Sequence, residues 1–171
     1  MQNVKSTIRL LESRDIPQIA KAFKELGWNK PVSQYEQYLL EQESTLRGVY
    51  IDFVEQKFAG YLTICWTSDY PPFQQEKIPE IVDFNVLPKY RRQRIGMALM
   101  DMAENEIAKV RPIAGIGVGV TPDYGAEQRL YALRGYFPDG RGLYNQGDYP
   151  TFGEQITMGD DPTMYFTKRL K

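Results

Sequence analysis

Apolar side chains recur along this chain at two spacings, one typical of helices and the other typical of strands. Near the N-terminus they recur every three or four residues, which predicts an amphipathic helix that Ser13 caps and Gly27 ends. The same spacing predicts a second helix from about Ser33 to Leu46. The apolar positions of the first helix are Ile16, Ile19, Ala20, Phe23 and Leu26.

Alternating apolar and polar residues replace this spacing in the middle of the chain and predict strands. One strand begins at Gly48, and a turn at 56–57 leads into a second strand over 58–67. The proline-rich segment 68–73 breaks the second strand and is predicted to be an irregular loop. A third strand is predicted over 80–87.

Helices and strands alternate in the C-terminal half. A helix with one apolar side begins near Ile95, and a strand over 113–120 follows Pro112. A further helix is predicted over 126–134 and a last strand over 164–168. Because a helix lies between successive strands here, we expect crossover connections and a mixed α/β sheet.

The overall composition excludes several classes of protein. The 171 residues suit one domain, 1–171, and nothing in the sequence indicates a second. Lysine and arginine number 21 and aspartate and glutamate 22, so the net charge of −1 gives no general attraction to nucleic acid or an anionic membrane. No apolar run approaches the roughly 20 residues of a membrane span, and residues 1–5 lack the apolar stretch of a signal peptide. We therefore expect a cytoplasmic protein without nucleic-acid or membrane partners.

The content of metal-ligating and nucleophilic side chains narrows the chemistry further. Cys65 is the single cysteine and histidine is absent, so we expect no disulfide and no metal site. Cys65 lies in the middle of an apolar strand, where cysteine is more often a small buried hydrophobe than an acyl carrier. Any general base must be a carboxylate, a tyrosine, an amine or a water.

Residues 86–99 combine a strand end, a basic loop and a helix start that is rich in small residues. Backbone N–H groups at a helix N-terminus lack intrahelical partners, and the helix dipole adds about half a positive charge there, so a phosphate is a natural ligand. Gly96 and Ala98 limit side-chain bulk and allow a ligand to approach the backbone. The alternative is a solvated basic loop before an ordinary helix. The basic residues are Lys89, Arg91, Arg92 and Arg94.

The order of residues in this loop resembles a known family. Gln93-x-x-Gly96-x-Ala98 is similar to the Gln/Arg-x-x-Gly-x-Gly/Ala motif of the GNAT superfamily of acetyl-CoA-dependent N-acetyltransferases. Further along, 130–131 and 135–136 resemble that family's Leu-Tyr-x-x-x-Gly-Phe/Tyr segment. The resemblance implies an α/β (α+β) single-domain fold with a central mixed, mostly antiparallel sheet of about six or seven strands, flanked by about four helices.

The resemblance also implies an activity and a cofactor site. The expected reaction transfers the acetyl group of acetyl-CoA to a primary amine, on a small molecule or a peptide, by direct attack in a ternary complex. Main-chain groups of Phe84, Asn85 and Val86 are expected to bind the pantetheine arm. The amides expected to hold the pyrophosphate are those of Arg91, Arg92, Gln93, Arg94, Ile95, Gly96, Met97 and Ala98.

Two side chains are candidates for proton transfer. Glu80 lies six residues before Val86, at the position of a catalytic glutamate in some relatives, although it could instead pair with a lysine such as Lys77. Asp83 is expected on the opposite face of the strand from Glu80. Tyr131 matches the family's tyrosine that protonates the departing thiolate, and its alternative role is aromatic packing.

The acceptor region is less constrained by sequence. The aromatic segment 70–73 and the long stretch 137–161 are expected to shape the acceptor pocket. The acids of this stretch hint at a cationic acceptor, although acidic loops also serve solubility. They are Asp148, Glu154, Asp160 and Asp161. The family's usual asparagine before the second motif is not found, and Asp123 or Tyr124 occupies that region.

Two alternatives from other functional classes remain open. One is a non-catalytic acyl-CoA-binding module or sensor on the same fold. The other is a small nucleic-acid-binding domain that uses the arginine cluster, against which the overall acidity counts. A monomer or a homodimer is expected.

Overall fold

Residues 6–171 are described by a computed structural model, and they form seven strands and five α-helices. The strands are β1 (Ser6–Leu10), β2 (Arg47–Val54), β3 (Lys57–Cys65), β4 (Glu80–Val86), β5 (Ile113–Gly119), β6 (Phe137–Tyr144) and β7 (Thr163–Arg169). The helices are α1 (Ile16–Glu25), α2 (Val32–Glu43), α3 (Pro71–Glu76), α4 (Ile95–Ala108) and α5 (Gly125–Leu133). The strands form one sheet in the order β1-β2-β3-β4-β5-β7-β6.

Neighbouring strands are antiparallel except β4 and β5, which run parallel. Parallel neighbours need a crossover connection, and α4 supplies it. The mixed, mostly antiparallel sheet and its flanking helices confirm the fold class that the sequence predicts.

The pairing of β4 with β5 is unusually short. Only Glu80 with Gly115 and Ile81 with Ile116 are in register, and the strands separate beyond these pairs. Against its other neighbour, β3, strand β4 carries a register shift, and Asp83 has a left-handed backbone with φ of 54°. A bulge of this kind bends and twists a strand. The C-terminal parts of β4 and β5 therefore border an opening in the sheet.

Two clusters of buried apolar side chains cover the faces of the sheet. Helices α1 and α2 pack on one face, where Phe23 and Tyr35 contact the aromatic side chains of β3. Helix α4 packs on the other face through Leu99, Ala103 and Ile107. The buried positions of α1 and α4 recur every three or four residues, as the sequence pattern predicts.

Three elements differ from the sequence prediction. Segment 68–73 is not wholly irregular, because Pro71 and Pro72 begin α3 at positions where a helix needs no amide hydrogen bond. Strand β1 was not predicted. Strand β6 lies inside a stretch predicted to be irregular, and its Gly140 and Gly142 have positive φ, which interrupts the alternating pattern.

Within residues 6–171, no helix combines the length and the apolarity that crossing a membrane requires. The expectation about a signal peptide concerns residues 1–5, which lie outside the described residues.

Candidate active site

A cavity of about 790 Å³ occupies the opening between β4 and β5. Its walls include β4, the C-terminal part of β5, the loop before α4 and one side of α5. Trp28 and Lys30, from the connection between α1 and α2, complete the lining. In open α/β sheets, ligands bind where strands end and helices begin, which is the position of this cavity.

The β4 wall of the cavity presents main-chain groups. Phe84, Asn85 and Val86 lie beyond the last residue of β4 that pairs with β5, so their β5-facing edge has no strand neighbour. On the other edge, Asn85 and Val86 pair with β3, which fixes their position. A free strand edge of this kind can bond an extended ligand through its N–H and C=O groups.

The loop before α4 supplies positive charge at one end of the cavity. The side chains of Arg91, Arg92 and Arg94 are exposed and line it. Arg92 and Arg94 have φ of 61° and 67°, so the chain turns sharply just before the helix begins. Gln93 donates from Nε2 to the carbonyl of Lys89 at 2.9 Å and closes the loop.

Only part of the predicted phosphate-binding stretch has open amides. The amide of Arg91 donates to the carbonyl of Pro88 at 3.2 Å, and that of Ala98 donates to Arg94 at 3.0 Å. Within residues 6–171, no backbone acceptor is found for the first three amides of α4. These amides belong to Ile95, Gly96 and Met97, and open amides at a helix N-terminus can bind an anion.

Gly96 has a packing role beside the cavity. A Cβ atom at this position would lie 3.1 Å from Cζ of Phe84, which is tighter than an ordinary contact. The glycine therefore lets α4 approach β4 closely. The side chains of Gln93, Ile95 and Ala98 do not line the cavity, and that of Ile95 is buried in the core.

Glu80 stands in the cavity wall at the start of β4. Burial raises the pKa of its carboxyl to about 7, and the charge of Asp69 adds to the rise. The Ser68 hydroxyl, which donates to Oε2, and the more distant Arg47 lower that pKa. Within the described residues Glu80 forms no ion pair with Lys77. A carboxyl that titrates near neutral pH suits a general base.

Asp83, three residues along β4, faces the other side of the sheet. Its carboxylate accepts from Lys30 Nζ at 2.5 Å and from the hydroxyl of Tyr38 at 3.0 Å. Tyr61, Gln34 and Asn85 complete a set of five donors. Both carboxylate oxygens are fully used, so this side chain holds α2 and the connection before it against the sheet.

Tyr131 faces the same cavity from α5. Its side chain is 4% exposed, and its ring lies 6.1 Å from that of Tyr136. Burial, with a contribution from the charge of Glu127, raises the pKa of its hydroxyl above the usual value. The hydroxyl therefore keeps its proton at neutral pH and can act as a donor.

The structure changes the expected acceptor region. Tyr70 and Phe73 do not line the cavity but pack behind it, where Tyr70 stacks on Tyr165 at a centroid distance of 3.6 Å. The four acids proposed for a cationic acceptor do not line the cavity either. Tyr124 does line it, with its ring close to Gly119.

Trp28, Lys30 and Ser68 had no role in the sequence analysis, because no local motif marks a residue whose neighbours are distant along the chain. Residues 6–171 also contain no cluster of metal-ligating side chains.

These features define an α/β protein with a cavity between separated strands, an open helix N-terminus beside exposed arginines, and a carboxyl and a tyrosine hydroxyl whose pKa values are raised by burial. Comparison with known proteins gives the family: residues 14–136 match the Acetyltransferase (GNAT) family, and the chain belongs to it. The resemblance of the two motifs is thereby confirmed.

Individual relatives agree with this assignment. An uncharacterised N-acetyltransferase of Archaeoglobus fulgidus is 32% identical over 104 residues, which are 60% of this chain and 67% of that protein. An N-acetyltransferase from Staphylococcus aureus Mu50 has the same fold, with a TM-score of 0.72 at 15% identity over 98% of this chain and 99% of that one. A putative acetyltransferase from Salmonella typhimurium, solved with its cofactor acetyl-CoA, has a TM-score of 0.68 at 15% identity over 97% and 94% of the two chains.

Proposed function

We propose that this protein transfers the acetyl group of acetyl-CoA to a primary amine of a small molecule or a peptide, by direct attack in a ternary complex. One observation carries the proposal. A single cavity brings together a free strand edge, an open helix N-terminus, a carboxyl that titrates near neutral pH and a protonated tyrosine.

The residues of the cavity fit acetyl-CoA in two places. The free edge at Phe84, Asn85 and Val86 suits the amide groups of the pantetheine arm. The open amides of 95–97, together with Arg92 and Arg94, suit the pyrophosphate. Bound there, acetyl-CoA supplies the activated acetyl group.

Proton movements are assigned to Glu80 and Tyr131. An amine is an ammonium ion near neutral pH, so its proton must leave before the nitrogen can attack. Glu80 accepts that proton, directly or through a water. The nitrogen forms the new bond to the acetyl carbon as the carbon–sulfur bond breaks, and the departing sulfur takes a proton from the Tyr131 hydroxyl. The acetylated nitrogen then loses its second proton, which restores the Tyr131 hydroxyl directly or through a water, and Glu80 releases the first proton to solvent.

The test combines calorimetric titration with acetyl-CoA and a thiol-release screen over a panel of amines. The double variant Arg92→Glu, Gly96→Glu should lose binding, because it places negative charge and bulk at the phosphate site. The double variant Arg111→Glu, Gly159→Glu makes the same total charge change outside the cavity and should bind normally.

The outcomes separate the candidate functions. Thiol release with at least one amine supports the transferase. Binding without thiol release for any amine favours the non-catalytic acyl-CoA-binding module. A wild-type protein that fails to bind acetyl-CoA contradicts both.

A further inference from the structure

Ser68 is a polar residue that is 0% exposed and lies directly behind the cavity, between β3 and α3. Its Oγ accepts a hydrogen bond from the amide of Tyr70 at 3.0 Å and donates one to Oε2 of Glu80. A hydroxyl has a single proton to donate. Because the Tyr70 amide occupies the acceptor side of this hydroxyl, the Ser68 proton is directed at Glu80.

This contact makes the two oxygens of Glu80 unequal. Oε2 is held by Ser68, whereas Oε1 has no hydrogen bond within residues 6–171 and is not sealed off from the cavity. A carboxylate held at one oxygen cannot rotate freely about its last bond. The oxygen that remains open is therefore kept on the cavity side.

Ser68 is itself held in place by Tyr70, whose side chain is 2% exposed. The Tyr70 ring stacks on Tyr165 of β7 at an interplanar angle of 4° and meets Phe73 edge-on at 4.9 Å. Its hydroxyl donates to Asp139 of β6 at 2.7 Å. Stacked and edge-on pairs of this kind fix both the position and the tilt of a ring.

We propose that Ser68 is a positioning residue for Glu80, which turns Oε1 toward the amine of the acceptor, and that Tyr70 holds Ser68 in that position. The proposal rests on the proposed function, in which Glu80 accepts the proton. It adds a residue outside the cavity lining to the machinery of proton transfer.

Several charged or ionisable groups surround Glu80, and none of them forms the contact that Ser68 forms. Cys65 is its cross-strand partner on β3, Asp69 precedes α3, and Arg47 lies one strand further on β2. Tyr165 approaches from β7, and the β5 partner is a glycine. Loss of the Ser68 hydroxyl thus removes the one hydrogen bond that the Glu80 carboxylate receives within residues 6–171.

The first experiment needs no acceptor. Protein labelled with ¹³C at the glutamate carboxyl carbons is titrated by NMR, and the Glu80 signal is assigned by its loss in Glu80→Gln. Ser68→Ala should raise the midpoint of Glu80 by about one pH unit, because a hydrogen bond to the charged form is lost. Ser68→Thr keeps a hydroxyl and should restore the wild-type midpoint. Ser33→Ala removes the hydroxyl of an exposed serine outside the cavity, serves as the matched control and should titrate as the wild type does.

The second experiment measures thiol release with an amine identified in the screen. Ser68→Ala should lower kcat about tenfold, move the acidic limb of the pH profile upward and leave acetyl-CoA affinity unchanged. An unchanged Glu80 midpoint and pH profile in Ser68→Ala, alongside a strong loss of turnover in Glu80→Gln, overturns the role of Ser68 and leaves the base in place. Full turnover in Glu80→Gln overturns the base and the positioning role together. A shifted midpoint in a protein that acetylates no amine contradicts the proposed function alone.

Discussion

Strand β4 carries two carboxylates three residues apart whose surroundings differ in kind. Asp83 receives five hydrogen bonds and faces α2, where it serves the fold. Within the described residues, Glu80 receives one hydrogen bond and keeps an oxygen open to the cavity. Under the proposed function, the number of donors around a carboxylate separates a structural role from a proton-accepting one.

A third carboxylate extends the comparison. Asp52 on β2 is 0% exposed, and neither of its oxygens has a hydrogen-bond partner in the part of the chain that the structure describes. Burial raises its pKa to about 6. Donor groups of Ser6, Thr7 and Phe53 oppose part of that rise, although none makes a hydrogen bond of ordinary geometry. Asp52 is closed to the cavity, so its lack of donors is a cost to stability rather than a source of reactivity.

The largest expected effect is a loss of stability when Asp83, the carboxylate with the most hydrogen-bond donors of the three, is replaced. Asp83→Ala leaves the Lys30 ammonium and several buried donors without an acceptor and should lower the free energy of unfolding by about 3 kcal/mol. Urea denaturation measures it, with the exposed Glu36→Ala as a control that should stay within about 0.5 kcal/mol of the wild type. A loss no greater than that of the control would contradict the structural role.

The second effect is on turnover and concerns Glu80, which has one hydrogen-bond donor within the described residues. Glu80→Gln should reduce kcat about a hundredfold, because the variant cannot accept a proton, and should leave the unfolding free energy nearly unchanged. Steady-state thiol release measures it, with the exposed Glu76→Gln as the matched control. In the wild type, kcat/KM should fall as pH drops below about 7, where the carboxyl becomes protonated. A pH-independent wild-type rate would argue for a different base.

Replacing Asp52, whose carboxylate has no hydrogen-bond donor within residues 6–171, should raise the free energy of unfolding rather than lower it. Asp52→Asn should stabilise the protein by about 2 kcal/mol at pH 8, because it removes a buried charge. The folded-state pKa of about 6 exceeds the ordinary value of 3.8, so the gain should develop as pH rises from about 4 to 6 and vanish below pH 4. Thermal unfolding of the variant and the wild type at pH 4 and pH 8 measures this pH dependence. An equal gain at both values would mean that ionisation is not the cause.

The smallest expected effect is on turnover and concerns Tyr131, the proposed acid, in contrast to Glu80, the proposed base. Tyr131→Phe should lower kcat about tenfold with acetyl-CoA affinity unchanged, because only the departing thiolate loses its proton donor. Tyr136→Phe changes the neighbouring tyrosine, which does not line the cavity, and should leave turnover intact. Equal losses of affinity and rate in Tyr131→Phe would point to packing instead.

The sequence predicts the parts of this molecule whose cause is local. Helices α1 and α4 follow from the spacing of their apolar residues, and the basic loop before α4 follows from a short run of arginines and small residues. Strand β6 was not predicted because two glycines with positive φ interrupt its alternating pattern. Helix α3 was not predicted because its two prolines indicate a break in the preceding strand and the start of a loop.

The Glu80 end of the cavity depends on contacts between distant parts of the chain. The partners in the bond from Ser68 to Glu80 are 12 residues apart, and those in the bond from Lys30 to Asp83 are 53 apart. No periodicity or motif encodes such pairs. The family motifs make Glu80 and Tyr131 candidates, but the donors that distinguish Glu80 from Asp83 are visible only after folding.

The short pairing of β4 with β5 also has a mechanical consequence. Two strand groups, β1 to β4 and β5 to β7, are joined edge to edge at only two positions, whereas β5 and β7 pair along seven. A ligand that hydrogen-bonds to the free edge of β4 and also contacts β5 would connect the two strands where they do not pair with each other. Filling the cavity should therefore slow amide hydrogen exchange along both strands. The exchange rates of these amides would then measure the fraction of the protein that has ligand bound.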